Sequence, residues 1–157
     1  MVKKVVLWFA VIACMVTIFM FSAQSSDTSN ELSEGFLYRV LDFFNYWEKM
    51  PRAMQFEQLE KLHVIIRKIA HFSIYAILGF WACLLVKVGY EIKGFKGFWM
   101  PAVFCVLYAV TDEIHQVFVP GRSGQGLDVL IDSIGGTVGV GIAVIICLIF
   151  IRRKKNG

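Results

Sequence analysis

The stretch that decides the fold runs from Val129 to Ile151 and has the sequence VLIDSIGGTVGVGIAVIICLIFI. Four basic residues, RRKK at positions 152–155, follow it directly. A helix of about 20 apolar residues crosses the ~30 Å hydrocarbon core of a bilayer. Lys and Arg next to such a helix are typical of its cytoplasmic end. The stretch therefore predicts a membrane-spanning helix.

Three further stretches approach the same length, at residues 5–21, 69–86 and 98–119. The whole chain of 157 residues is 57% apolar and only 18% charged, with a mean hydropathy of +0.64. Soluble domains contain about 45–50% apolar and about 25% charged residues. We predict a single all-α domain over residues 1–157, an integral membrane bundle of four transmembrane helices, with 129–151 as the fourth span.

The first span has two interpretations. As a cleaved signal peptide it would use Lys3 and Lys4 as the basic start and Ala23-Gln24-Ser25 as a cleavage site. Its apolar run of 17 residues exceeds the ~7–15 of a signal peptide, which favours a retained anchor. Both interpretations place the following loop outside the cell.

The charge distribution predicts the orientation. The two ends and the loop after the second span hold nine of the 16 basic residues and one acidic residue, Glu91. The loop at residues 22–68 holds six basic and seven acidic residues. This asymmetry predicts a multi-pass protein of the cell (plasma) membrane with both termini in the cytoplasm. Basic residues that flank apolar spans do not form a phosphate-binding face, so no nucleic acid partner is expected.

The loop at residues 22–68 contains an amphipathic pattern from Glu31 to Trp47. Its apolar residues recur at helical spacing, at Leu32, Phe36, Leu37, Val40, Leu41, Phe44 and Trp47. Such a helix lies along a membrane surface, and we expect it to follow the outer leaflet and to end at Pro51. A second helical pattern leads into the second span. We interpret His63 as a loop or interfacial histidine.

Polar side chains gather at the outer ends of the second, third and fourth spans. Phe98 to Val110 gives about 20 Å of helix at ~1.5 Å per residue, which is short of a ~30 Å core. The helix must therefore carry the block Thr111–Gln116 to the outer boundary. Asp132 lies near the same level, and His71 is in the first turn of the second span. We expect the three polar ends to converge.

Spacing predicts which side chains share a helix face. Arg67, His71 and Tyr75 recur every four residues, Asp112 pairs with His115 or Gln116, and Asp128 pairs with Asp132. Three glycines continue nearly the same face as Asp132, namely Gly135, Gly136 and Gly139. Small residues allow a neighbouring membrane helix to approach closely. The acidic face therefore points into the bundle.

The chemistry of these side chains divides them into two candidate groups. The candidate acid–base residues are His71, Asp112, Glu113, His115 and Asp128. The candidate ligand-binding residues are Arg67, Lys68, Tyr75, Gln116, Arg122 and Asp132. Ionisable residues inside a membrane are costly and mark functional sites. The alternative is that their salt bridges and hydrogen bonds only hold four short helices together.

A divalent metal cofactor is conceivable from His71, His115 and the carboxylates. The chain has no HxxxH or HExxH motif, so the ligands would have to come from several helices. We assign no residue as a metal ligand on the sequence alone, and the cofactor stays open.

The same residues carry a resemblance to the VanZ-like family of membrane proteins. The matching pieces, in chain order, are FSAQ at 21–24, RKIAHF at 67–72 with Tyr75 and Gly79, Tyr108 with TDEIHQ at 111–116, PGR at 120–122, and Asp128-Val129 with Asp132, Gly135 and Gly136. They cover roughly residues 20–140. The resemblance implies a bacterial cell-envelope protein, and the family's named relative lowers sensitivity to the glycopeptide teicoplanin. It implies a setting and supplies no reaction.

Two hypotheses of function follow. In the first, the outer cluster binds, or chemically modifies, a lipid-linked or phosphate-bearing envelope component, such as a lipid-linked cell-wall precursor or a phospholipid headgroup. In the second, the protein is a non-enzymatic membrane binding or assembly module whose charged cluster is structural. Ion or proton translocation is disfavoured, because no titratable side chain continues from Asp132 or Tyr75 towards the inner side. Whether the chain is an enzyme, and its oligomeric state, stay open.

Overall fold

Helices make up nearly all of the computed structural model, which describes residues 2–43 and 52–156. The five α-helices are α1 (Val2–Ser22), α2 (Ser26–Phe43), α3 (Arg52–Leu84), α4 (Lys96–Val117) and α5 (Gly126–Asn156). A π-helical turn, Leu85–Gly89, continues α3. Within these ranges there is no strand, which confirms the all-α prediction.

In the described part of the chain, four helical segments are long and apolar enough to cross a membrane: Val2–Ser22, Leu62–Gly89, Lys96–Val117 and Gly126–Phe150. They confirm the four predicted spans, with shifted bounds. The second begins seven residues earlier than predicted, because the helical pattern before it and the span form one continuous helix, α3. The third ends at Val117 rather than at 119.

The predicted amphipathic helix corresponds to α2, which starts at Ser26 rather than at Glu31. Residues 44–51, including the expected end at Pro51, lie outside the described residues. Leu37 is buried, whereas Phe36 and Tyr38 on either side of it are exposed. Among the described side chains of α2, Leu37 therefore packs against the bundle, and Tyr38 points outward.

His63 is not in a loop, and this part of the prediction is wrong. It lies on α3 and is buried, with its Nδ1 3.9 Å from Glu34 Oε1 on α2. The helical spacing of Leu62, Ile65 and Ile66 continues through it, so the residue joins the long helix.

Glycines bring α3 and α5 into the most extensive helix contact among the described residues. A Cβ atom added at Gly135 would overlap the carbonyl oxygen of Phe72, and one at Gly139 would overlap that of Ala76. On the other side, a Cβ atom at Gly79 would overlap the Gly136 carbonyl oxygen. The backbones therefore touch directly, as the small-residue pattern predicted.

Helix α1 packs against this pair and α4. Its Val11 and Ile18 are buried, the Tyr108 hydroxyl of α4 donates to the Met15 carbonyl at 2.7 Å, and the Trp8 indole donates to the Tyr90 hydroxyl at 3.1 Å. These contacts join α1 to the rest of the bundle.

The two ends of the bundle differ in chemistry. We call the end with Ser22, His71 and Asp112 the polar end. We call the end with Lys4, Lys87 and Lys93 the basic end. From the charge asymmetry, the basic end is expected to face the cytoplasm.

The glycine contact predicts a position-specific loss of stability. Gly139→Ala should destabilise the protein by about 1–3 kcal/mol, because its methyl group must displace the α3 backbone. Thermal unfolding in detergent measures this. Gly141→Ala is the matched control on the same helix, since a Cβ there has no described atom within 4 Å, and it should stay within about 0.5 kcal/mol. Equal losses from both changes would contradict the close packing.

The orientation is tested by cysteine labelling in intact cells. A membrane-impermeant maleimide should label Ser123→Cys, in the exposed loop at the polar end, without permeabilisation. It should label Lys93→Cys at the basic end only after the membrane is opened. The parent chain, with its four native cysteines, gives the background. The reverse labelling pattern would show that the termini are outside.

Candidate functional site

Three helices meet in a buried cluster at the polar end. The Nδ1 atom of His71 on α3 lies 3.5 Å from Oδ2 of Asp132 on α5. Asp112 of α4 completes the cluster, and one potential ligand atom from each of the three side chains lies within 4.8 Å of the other two. Asp112 is 5% exposed and Asp132 is 2% exposed, while His71 is half-buried. We call these three residues the His-Asp-Asp cluster.

Asp112 is also tied to α1 and to its own helix. The Ser22 hydroxyl donates to Asp112 Oδ2 at 2.8 Å, and the Gln116 amide donates to the same oxygen at 3.2 Å. Arg122 then donates from Nη1 to Gln116 Oε1 at 3.2 Å and from Nη2 to the Phe21 carbonyl at 3.1 Å. This chain of bonds joins the end of α1 to α4 and to the loop before α5.

Two guanidinium groups lie beside this network. Burial lowers the pKa of Arg122, and the positive charge of Arg67 lowers it further, while nearby carboxylates oppose both effects. An arginine stays protonated in proteins, so the two positive charges persist side by side. Arg67 makes no hydrogen bond or ion pair within the described residues, and its donors are available to a ligand.

Two further predicted acid–base residues, Asp128 and Glu113, have structural partners. Lys68 forms an ion pair with Asp128, which joins α3 to the start of α5. Glu113 accepts a hydrogen bond from the backbone N–H of Gln125, just before α5 begins. Both carboxylates therefore help to position α5.

Tyr75 lies one turn below His71 and is fully buried. Its hydroxyl has no hydrogen-bond partner among the described residues, and it interacts electrostatically with the carboxylates of Asp112 and Asp132. The Oδ1 atom of Asp132 is likewise buried and without a partner in that part of the chain. Two polar atoms thus stand unsatisfied next to the cluster.

His115 is not part of the cluster. Its ring stacks on Phe19 of α1, with ring centroids 4.6 Å apart. Helical spacing predicted that either His115 or Gln116 would lie next to Asp112. Gln116 donates a hydrogen bond to Asp112, whereas His115 packs against α1.

Two cavities open at this end of the bundle and share a wall. The smaller, of about 10 Å³, is the polar pocket, whose charged or imidazole lining is Arg67, Lys68, His71, Arg122, Asp128 and Asp132. The larger, of about 430 Å³, is the apolar cleft between α1, α2 and α3, whose apolar lining is Ile18, Phe21, Phe36, Ile66, Ala70 and Ile74. Arg67, His71 and Arg122 line both cavities.

Ser22 is a site residue that the sequence analysis did not select. It is fully buried and donates to Asp112. The only signal was its place in the FSAQ piece of the resemblance, because a serine at the end of an apolar helix is otherwise typical of a boundary.

The comparisons with known proteins give one match. A family model described as VanZ/LLP1 matches residues 7–149, which include most of each of the four spans and every residue of the two cavities named above. No curated protein and no solved structure matches the chain.

The Ser22 hydrogen bond predicts a measurable contribution to stability. Ser22→Ala removes a donor from a buried carboxylate, so we expect a loss of about 1–3 kcal/mol in thermal unfolding. Thr17→Ala is the control on α1, because that hydroxyl donates only to the Ala13 carbonyl of its own helix. A Ser22 variant as stable as the Thr17 variant would show that the bond contributes little.

Proposed function

The chain belongs to the VanZ/LLP1 family, as its sequence motifs predicted, and we propose that it binds a phosphate-bearing lipid of the bacterial envelope at its polar end. The phosphate of the headgroup would bind to Arg67 and Arg122 at the mouth of the polar pocket, and an acyl or prenyl chain would occupy the apolar cleft. With the expected orientation, this end faces the outer leaflet.

Binding of the phosphate headgroup is supported by two arginines, Arg67 and Arg122. A planar guanidinium binds a phosphate through two parallel charge-assisted hydrogen bonds. Arg67 has its donors available, and Arg122 keeps a buried Nε with no partner among the described residues. Lys68 contributes less, because Asp128 already neutralises it.

The observation that carries the proposal is the shared wall of the two cavities. Arg67, His71 and Arg122 face the polar pocket on one side and the apolar cleft on the other. A lipid has the same arrangement, with an anionic group directly next to an apolar chain. A free phosphate would need only the pocket, and an apolar molecule would need only the cleft.

A second candidate function is chemical modification of that lipid. His71 lines both cavities and lies 3.5 Å from Asp132, a carboxylate that can orient its ring. A histidine held in this way can move a proton to or from a bound headgroup. The teicoplanin phenotype of the family's named relative would follow if the modified or sequestered lipid were a cell-wall precursor.

The non-enzymatic alternative is supported by the hydrogen bonds of Ser22, Asp112, Gln116 and Arg122. These side chains join α1, α4 and the loop before α5 without any ligand. Their network favours a structural role for Asp112 and Gln116, whereas Arg67 has no such role. Variants of Arg67 and His71 therefore separate function from stability.

Lipid binding is tested by native mass spectrometry of the full chain in detergent, titrated with phosphatidylglycerol or with a polyprenyl phosphate. Arg67→Gln should weaken binding about 10- to 100-fold, since a charge-assisted hydrogen bond contributes about 1.5–3 kcal/mol. Arg39→Gln, at an exposed position of α2 outside both cavities, is the matched control and should bind as the parent does. Whichever of the two lipids binds at the lower concentration is the class of phosphate-bearing lipid that the site prefers.

The apolar cleft is tested in the same titration with Ala70→Phe. The added ring fills the cleft and should weaken binding of the full lipid, while binding of glycerol phosphate, which has no chain, should not change. If Arg67→Gln and Ala70→Phe both bind lipid as the parent does, the proposal is wrong.

Chemistry is separated from binding by His71→Gln. If the protein modifies its lipid, this variant should keep lipid binding and lose the teicoplanin phenotype in a susceptible Gram-positive host. If the variant keeps both lipid binding and the teicoplanin phenotype, binding remains the proposed function and His71 is not an acid–base residue.

A further inference from the structure

We infer that the His-Asp-Asp cluster is a binding site for one divalent cation, with Zn²⁺ as the ion that suits its ligands best. The inference concerns His71, Asp112 and Asp132 and is independent of lipid binding. The three ligands form no motif within a single helix, because α3, α4 and α5 each supply one of them.

The separation of the ligand atoms suits a single ion. Three atoms that lie within 4.8 Å of one another share a point no more than about 2.8 Å from each. Zinc binds imidazole nitrogen and carboxylate oxygen at about 2.0–2.2 Å. The side chains would have to contract by well under 1 Å each, which rotation about their own bonds provides.

The unsatisfied atoms next to the cluster point to a missing partner. The Tyr75 hydroxyl and the Asp132 Oδ1 atom are buried and have no hydrogen-bond partner among the described residues. A buried polar atom without a partner costs about 1–3 kcal/mol. A cation between the carboxylates would engage Asp132, and Tyr75 could then donate to a ligand oxygen or to a bound water.

The negative charges of the two carboxylates are a second reason to expect a cation in the cluster. Asp112 and Asp132 are two carboxylates brought together in a space that excludes most water, where like charges repel strongly. Over the whole polar end, three basic residues face four acidic ones, so a divalent cation changes the local net charge from −1 to +1.

The ligand set distinguishes among ions. An imidazole with two carboxylates suits Zn²⁺ and the neighbouring transition metals, whereas Mg²⁺ and Ca²⁺ prefer oxygen ligands alone. Three protein ligands leave a fourth position of the zinc tetrahedron open, as in catalytic sites. His71 and Asp132 line the polar pocket, which gives the ion a path from the surface and leaves that position accessible.

The experiment uses the full chain in detergent, with any purification tag removed, because a histidine tag would itself hold zinc. The protein is stripped with EDTA, dialysed against Zn²⁺ and then against metal-free buffer. The retained zinc is counted by mass spectrometry. The parent chain should retain about one Zn²⁺ per chain, and His71→Gln and Asp132→Asn should each retain none.

Two matched variants test whether the metal is at the cluster. His115→Gln removes the other histidine of the polar end, and Asp128→Asn removes a carboxylate that pairs with Lys68. Both should retain the metal. Co²⁺ loading of the parent should give visible d–d absorption from an imidazole–carboxylate site, which His71→Gln should abolish. Circular dichroism confirms that each variant is folded.

The inference is overturned if the stripped parent takes up no zinc. It is also overturned if His71→Gln and Asp132→Asn retain as much zinc as the parent, which would show adventitious binding elsewhere. Neither result bears on lipid binding to Arg67, which the lipid titration measures separately.

Discussion

The direct contact of α3 with α5 is the constraint on which the rest of the structure depends. Gly135 and Gly139 let the two backbones touch at Phe72 and Ala76. Phe72 is the residue after His71, and Gly135 is less than one turn beyond Asp132. The contact that joins the helices therefore also fixes the histidine 3.5 Å from the carboxylate. The close glycine contact between α3 and α5 therefore determines both the helix packing and the geometry of the site.

Helix α1 turns this helix pair into an enclosed site. It supplies Ser22 to Asp112 and the Phe21 carbonyl to Arg122, so the loop before α5 is held against the end of the first span. The same helix forms one wall of the apolar cleft through Ile18 and Phe21. The polar pocket and the cleft thus depend on α1 as much as on the helices that carry the charged residues.

The sequence was sufficient to predict the four spans and the faces within each helix, because both follow from apolar length and from the 3.6-residue period. It could place Arg67, His71 and Tyr75 on one face and Asp132 on a face with the glycines. It could not choose between His115 and Gln116 as the neighbour of Asp112, since both positions satisfy the spacing. That choice depends on the rotation of α4 against α1, where Phe19 stacks on His115. Ser22 was missed, and the partner of Lys68 among the selected carboxylates could not be identified, for the same reason: contacts between helices leave no period in the chain.

The length of α3 has a consequence for how a ligand reaches the site. Its 33 residues extend about 50 Å at ~1.5 Å per residue, some 20 Å more than the hydrocarbon core. Helix α2 packs against α3, and the cleft lies between α1, α2 and α3. The lipid that we propose as ligand would reach the cleft by diffusion within one leaflet. Its occupancy would then depend on its mole fraction among the surrounding lipids rather than on a concentration in the aqueous phase.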